Sequence, residues 1–307
     1  MNCRICLSPA EFAGKTNSYW NTDANVYRCA HCDVQFVFVD SFTPAIYDEL
    51  YSSGDLGYQH DKSKDNLLLA ELIYRDINFA AVADSFSRAS GSLDVLEIGC
   101  GYGYLVNALN QLGHRAYGID ISDKAIAYAK KIYGDHFATK EIDDVEGSFD
   151  TIIGIEVIEH LPDPAGFVKK CAKLLKSKGK LIITTPNKDF YNKNTVWMTN
   201  PPPVHLFWLG KAAMETMARG AGFAIEMLPY HKYLEQYDKQ NLLINWLRYR
   251  NQTQAVMEPA PKQKERSRAK NALRSVALSA PVKGISNFLF SFRPVSRTLA
   301  VLMTKIE

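Results

Sequence analysis

The segment Val95-Leu-Glu-Ile-Gly-Cys-Gly-Tyr-Gly-Tyr-Leu105 constrains this chain more than any other. An apolar run ends in glycines at positions 99, 101 and 103 and passes directly into a helical pattern. Glycine lets a backbone turn tightly and approach a ligand closely, and the helix N-terminus that follows favours an anionic group. A binding turn at the carboxyl end of a first strand has this form. The spacing also discriminates between ligands. A dinucleotide fingerprint would need glycine at Tyr104 or Val106, depending on register, and neither position has it.

From Leu93 onward, apolar strands alternate with amphipathic helices. Strands are expected at 94–100, 115–121, 137–142, 149–157, 180–186, 223–231 and 298–306, with helices at about 103–112, 123–132, 165–176 and 211–220. Strict alternation argues an α/β fold, a doubly wound and mostly parallel seven-stranded sheet with helices on both faces. A further helical pattern covers 67–86. With 47% hydrophobic and 22% charged residues, the chain has the balance of a globular protein with a core. The expected organisation is a cysteine module at 1–40, a connector and helical lid at 41–92, and a catalytic domain at 93–307. That domain carries an insertion at about 234–297.

The G-x-G-x-G spacing preceded by acidic Glu97 is the S-adenosylmethionine form of such a turn. Seventeen residues beyond Gly103, Asp120 ends the second strand in YGIDIS. A carboxylate there can take both ribose hydroxyls, or else cap the helix beginning at Ser122. LEIGCGYGYL, YGIDIS, FDTIIGIEVIEHLPDP and LLKSKGKLIITTPN together resemble the ordered motifs of class I S-adenosylmethionine-dependent methyltransferases. Within that superfamily they are most similar to the ubiquinone-biosynthesis O-methyltransferase-like group. The resemblance implies a Rossmann-like sheet of order 3-2-1-4-5-7-6 with strand 7 antiparallel. It also implies that Glu97, Gly99, Gly101 and Gly103 surround the methionine moiety. Asp120 would meet the ribose with Ile121 beside it, Ile155 the cofactor's far side, and Asp143 or Asp144 the adenine.

Glu156, Glu159 and His160 follow the fourth strand, where a methyl acceptor would sit, and E-x-x-E-H would bring Glu156 and His160 one turn apart on a helical loop. Methyl transfer needs alignment, and a base where the acceptor loses a proton. Glu159, His160 and His205 (in PPPVHLFWLG) are the candidate catalytic residues, His205 as base or acceptor contact. In ubiquinone-type and small-RNA 3′-terminal methyltransferases the matching residues are divalent-metal ligands. The resemblance thus implies a second metal at Glu156, Glu159, His160 and His205; the alternative is that His160 simply braces the loop. Tyr47, Tyr51, Tyr58 and His60 precede the core, where this fold usually carries a lid; the alternative for most of them is ordinary packing of the connector.

Cys3-x-x-Cys6 and Cys29-x-x-Cys32, separated by 22 residues, can supply four thiolates to a structural zinc in a ribbon-like module. Cys100 and Cys171 read as small buried residues. MNCRICLSPA has no apolar signal region, and no run approaches a membrane span, so the expected compartment is the reducing cytoplasm. A net charge of +3 is too mild to imply nucleic acid. The expected function is methyl transfer to a small molecule or glycan, in surface-polysaccharide or natural-product biosynthesis. One alternative is an RNA methyltransferase that uses the cysteine module and the basic run Lys262, Lys264, Arg266, Arg268, Lys270 and Arg274. Another is a non-catalytic binding protein. With N-F-L-F-S-F (287–292) beside it, the basic run also allows peripheral membrane contact.

Overall fold

The computed structural model describes residues 1–38, 45–55, 58–86, 91–233 and 296–307. The basic run and most of the 234–297 insertion lie outside the described residues. The seven expected strands are β4 (Asp94–Ile98), β5 (Arg115–Asp120), β6 (Phe137–Thr139), β7 (Phe149–Ile155), β8 (Leu175–Pro186), β10 (Phe223–Met227) and β11 (Thr298–Lys305). They form one sheet in the order β10-β11-β8-β7-β4-β5-β6. β4 pairs parallel with β5 and β7, while β11 runs antiparallel to both β8 and β10. Read from the other edge, this is the order and antiparallel strand implied by the motif resemblance.

The intervening helices are α4 (Tyr104–Gln111), α5 (Asp123–Tyr133), α6 (Pro164–Leu174) and α7 (Lys211–Gly220). Their starts follow local chemistry. Ser122 Oγ accepts from Ala125 N at α5, and Asp163 accepts from Gly166 N at α6 just before Pro164. Val95, Leu96, Ile152, Ile153, Leu181 and Ile182 are all below 3% exposed, as central strands covered on both faces require. The strand expected at 223–231 stops at Met227, and a short helix, α8 (Tyr230–Tyr233), follows Pro229.

The 67–86 pattern is not one helix. It divides into α2 (Leu69–Arg75), a 3-10 turn and α3 (Ala80–Phe86). Asp76 breaks it, because its carboxylate accepts from Asn78 N and so caps a new turn instead of continuing the old one. Before these elements lies α1 (Ala45–Ser53). No helix of the described residues is long and apolar enough to cross a membrane.

The N-terminal segment forms a second sheet of β1 (Ala10–Asn17), β2 (Asp23–Cys29), β3 (Gln35–Val37) and a fourth strand, β9 (Phe207–Trp208), contributed from far along the chain. Phe36 stacks on Phe207 with centroids 6.1 Å apart, and both rings are fully buried. Beneath this joint Lys188 Nζ, 6% exposed, contacts Asp33 Oδ2 at 2.5 Å, and Arg28 holds the other oxygen. Burial raises the Asp33 pKa, but the two cations outweigh it and hold the carboxyl below its ordinary value. A depressed carboxylate stabilises the fold at neutral pH and loses that contribution as pH falls through its folded pKa. Lys188→Met is therefore expected to cost about 1–3 kcal/mol at pH 7, Arg28 retaining part of the interaction. The gap from wild type in denaturant melts should narrow in acid; a constant gap would show that the pair contributes nothing electrostatic.

Candidate functional site

The glycine turn leaves the carboxyl end of β4, beside the point where the winding direction reverses between β4 and β7. Gly99 N and Cys100 N both donate to Ile119 O, locking the turn onto β5. Two glycines are demanded by their surroundings. Gly99 has φ +70° and an added Cβ would lie 2.5 Å from Val157 Cγ2; Gly103 has φ +81° and its Cβ would lie 2.6 Å from the Phe137 ring. Only a residue without a side chain fits both the dihedral and the space.

Asp120 ends β5 with its side chain turned back toward the glycines. Oδ2 accepts from Gly101 N at 2.9 Å and Oδ1 from Ser122 N at 2.9 Å, with Tyr51 Oη donating to Oδ2 at 3.4 Å. Ser122 itself caps α5, so the carboxylate braces the turn on both sides. Burial raises its pKa, partly opposed by these hydrogen bonds. Glu97 lies below the turn within β4, 4% exposed, with Oε2 unpartnered; burial, with the nearby Asp120 charge, drives its pKa well up. Two buried carboxyl groups with no cationic side chain paired to either among the described residues make this place electrostatically suited to a cationic ligand.

Of the other sequence-predicted cofactor residues, Ile121 and Ile155 flank the ends of β5 and β7, the first exposed and the second half-buried. Asp143 faces solvent, its carboxylate 3.5 Å from Lys170 Nζ, and Asp144 is exposed as well. α1 lies over the glycine turn, where Tyr51 Oη reaches Asp120. Tyr51 stacks edge-on against Tyr58 and Tyr102, and Lys124 Nζ holds Tyr51 O at 2.7 Å. Tyr47 sits edge-on to the His160 ring, 5.8 Å between centroids.

After β7 the chain takes a left-handed residue at Glu156 (φ +53°) and then a 3-10 turn, Ile158–His160. This geometry separates the two glutamates. Glu156 turns to Thr184, whose Oγ1 donates to its Oε1 at 2.9 Å, and burial lifts its pKa to about 7. Glu156 thus does not converge with His160. Glu159 does: it is fully buried, Oε2 accepts from Thr185 Oγ1, and Oε1 is unpartnered, 3.9 Å from His160 Nε2 and 4.0 Å from His205 Nε2. The two imidazoles stand perpendicular with centroids 4.5 Å apart. His160 Nδ1 donates to Val204 O at 2.7 Å, while His205 contacts Thr199 Oγ1 and Asn200. Burial lowers His160 to about 4 and drives His205 well down, with the His160 ring adding to the latter. Glu159 is pushed well up by burial and then by Glu156.

Two neutral imidazoles and an unpartnered carboxylate oxygen, their ligand atoms within 4.8 Å of one another, form a donor set that can hold a divalent cation. The Nδ1 atoms of His160 and His205 are engaged by Val204 O and Thr199 Oγ1, as outer contacts of ligating histidines commonly are, whereas His205 Nε2 accepts from Asn200 Nδ2 at 3.3 Å, a contact that a cation on that nitrogen would replace. Sequence reading missed the supports Thr184, Thr185, Thr199 and Asn200. The adjacent hydroxyls ending the apolar run LIITTP, at the carboxyl edge of the sheet, were the available signal for the first two.

In the N-terminal module Cys3 Sγ lies 3.6 Å from Cys32 Sγ and Cys6 Sγ 3.4 Å from Cys29 Sγ, and all four sulfurs lie within 4.8 Å of one another. A tetrahedral zinc with Zn–S near about 2.3 Å needs sulfurs close to this spacing. Cys32 draws the Cys3 thiol down to about 5, whereas its contact with Cys3 and burial push Cys32 up.

A family profile described as a methyltransferase domain matches residues 72–228, just over half of the chain. A probable S-adenosylmethionine-dependent methyltransferase of Mycolicibacterium smegmatis is 29% identical over 52% of this chain and 62% of its own length. A ubiquinone biosynthesis O-methyltransferase of Bradyrhizobium diazoefficiens is 39% identical over 33% of this chain and 42% of its own. The chain thus spans less than two thirds of these curated relatives. A magnesium protoporphyrin IX methyltransferase of Synechocystis PCC 6803, solved with bound S-adenosylmethionine, superposes with a TM-score of 0.44 at 22% identity, over 62% of this chain and 92% of that one. The chain belongs to the methyltransferase-domain family.

Proposed function

We propose that this member of the methyltransferase-domain family transfers a methyl group from S-adenosylmethionine to a small-molecule or glycan acceptor. The observation that carries the reading is the turn Gly99–Gly103 closed onto the Asp120 carboxylate at the reversal point of the sheet. When bound, S-adenosylmethionine supplies a methyl carbon already activated by its sulfonium. Asp120 would exchange the Tyr51 contact for the ribose hydroxyls, and the buried Glu97 and Asp120 pair would favour the cofactor's positive charges. Gly99, Gly101 and Gly103 would leave room for the methionine portion, with Ile121 beside the ribose, Ile155 at the cofactor's far side and Asp143 or Asp144 toward the adenine.

On the acceptor side, the buried tyrosines of α1 exclude water, and Glu156, poised near neutrality, can take a proton from an acceptor hydroxyl. Glu159, His160 and His205 would hold a divalent cation, which would acidify such a hydroxyl; the unpartnered Glu159 oxygen supports that fit. Zinc in the four-cysteine cluster would be structural.

Calorimetric titration of the zinc-replete protein with S-adenosylmethionine and S-adenosylhomocysteine tests the core of the reading. Micromolar-range binding, on the order of 8 kcal/mol, is expected. Absence of binding to either compound would leave a non-catalytic protein of the same fold. For the metal, Glu159→Gln is expected to weaken Mn2+ affinity roughly 10–100-fold, followed by electron paramagnetic resonance. Equal binding by both proteins would remove the cation from the proposal.

A further inference from the structure

The cysteine module and the Glu159–His160–His205 cluster are joined by a short hydrogen-bonded path. The knuckle closes where Asp33 N donates to Cys29 O and Cys29 N to Val34 O, and β3 begins two residues after Asp33. Gln35, 1% exposed, donates from Nε2 to Thr195 O at 2.8 Å and accepts from Trp197 N at Oε1 at 3.1 Å. The segment it clamps continues to Thr199 and Asn200, the two residues that hold the His205 ring. Gln35 and Phe36 pair with Trp208 and Phe207 of β9, which begins two residues after His205. Between them Val37 N donates to Leu206 O at 3.0 Å, and Leu206 N donates to Glu159 O at 2.8 Å. The residue following His205 therefore bridges the cysteine module directly to Glu159. The glycine turn and Asp120, by contrast, are held by β4 and β5 of the other sheet.

We propose that the cysteine module is a built-in wall of the acceptor site: through β3 it sets the positions of His205 and the Glu159 loop, with Gln35 as the positioning residue. It rests on reading Glu159, His160 and His205 as the acceptor-activating set. Losing the module's order disables that set and leaves cofactor binding intact. Any acceptor selectivity that depends on the module then works through His205 and Glu159, without the module itself having to grip the acceptor.

The test uses the full, zinc-replete chain carrying Gln35→Met, which keeps the side-chain volume and removes both hydrogen bonds. Three quantities are measured against wild type: S-adenosylhomocysteine affinity by calorimetry, Mn2+ affinity by electron paramagnetic resonance, and hydrogen exchange of the peptide containing Leu206. Expected are unchanged S-adenosylhomocysteine affinity, Mn2+ binding weakened roughly 10-fold or more, and faster exchange at Leu206 with β4 and β5 unaffected. Wild-type exchange at Leu206 together with wild-type Mn2+ affinity would overturn the proposal. So would loss of S-adenosylhomocysteine binding in step with the Leu206 change, since the effect would then be global. If wild type binds no Mn2+, the metal reading alone fails, and exchange at Leu206 against that of β4 and β5 still decides the scaffold role. Should Gln35→Met fail to fold, stripping zinc from wild type under reducing conditions gives the same contrast between Leu206 and the β4–β5 amides.

Discussion

Asp120→Ala is expected to weaken S-adenosylhomocysteine binding by roughly 10²–10⁴-fold, because two charge-assisted hydrogen bonds at about 1.5–3 kcal/mol each are removed from a buried site. The carboxylate is 6% exposed and fixed by Gly101 N and Ser122 N, so it is presented to a ligand with little left to organise. Stability should move little by comparison. Burial raises the Asp120 pKa, and a carboxyl raised above its unfolded value contributes stability that is present in acid and lost as pH rises through the folded pKa. At neutral pH the substitution removes a buried charge along with its three hydrogen bonds, and the effects offset. Asp120→Asn, which keeps a hydrogen-bonding carbonyl and loses the charge, should fall between. Calorimetry on all three proteins, with thermal melts alongside, checks this; wild-type affinity in the alanine protein would show that the carboxylate is only a helix and turn brace.

The second large effect concerns the cysteines. Cys32→Ser, or removal of zinc by a chelator under reducing conditions, is expected to lower the unfolding temperature by at least about 10 °C. The small module has few core residues of its own, chiefly Val26, Val34, Phe36 and Val37, and such a segment depends on its crosslink. Its remaining support includes the Phe36–Phe207 stack, the Lys188–Asp33 pair and the β3–β9 pairing, which tie it to the larger domain. The loss should therefore be partial, with the seven-stranded sheet surviving as a later transition in calorimetry. Metal analysis should return one zinc per chain before chelation. An unchanged melt after full zinc removal would mean that the four cysteines carry no structural load.

These expectations draw on a mixture of what local sequence reveals and what it hides. The Gly99–Gly103 turn was legible because strand, glycines and helix are consecutive and each imposes a local backbone requirement. The four cysteines were legible because thiolate spacing is a local signature, and the sulfurs do gather. The break at Asp76 was hidden by a helical period that runs through it, since a side-chain cap outcompeted the periodic pattern. The choice between Glu156 and Glu159 was also hidden. E-x-x-E-H suggests a helical turn, but the left-handed residue at Glu156 sends that side chain to Thr184 and delivers Glu159 to the histidines instead.

By itself, then, the sequence determined the alternation of strands and helices, the cofactor-type turn with Asp120 opposite it, and the four-thiol cluster, because each depends on residues close in the chain or on strict periodicity. Only the tertiary structure decided that β3 would pair with β9, that Gln35 would clamp the segment supporting His205, and that Leu206 would link Val37 to Glu159. The β3–β9 pairing joins segments far apart in the chain, Phe36 with Phe207, and the Gln35 clamp reaches 160 residues to Thr195. Neither PPPVHLFWLG nor QFV carries a periodic pattern long enough to announce its partner. Backbone pairing is nearly independent of side-chain identity, so the partner is chosen by where the larger core places each strand.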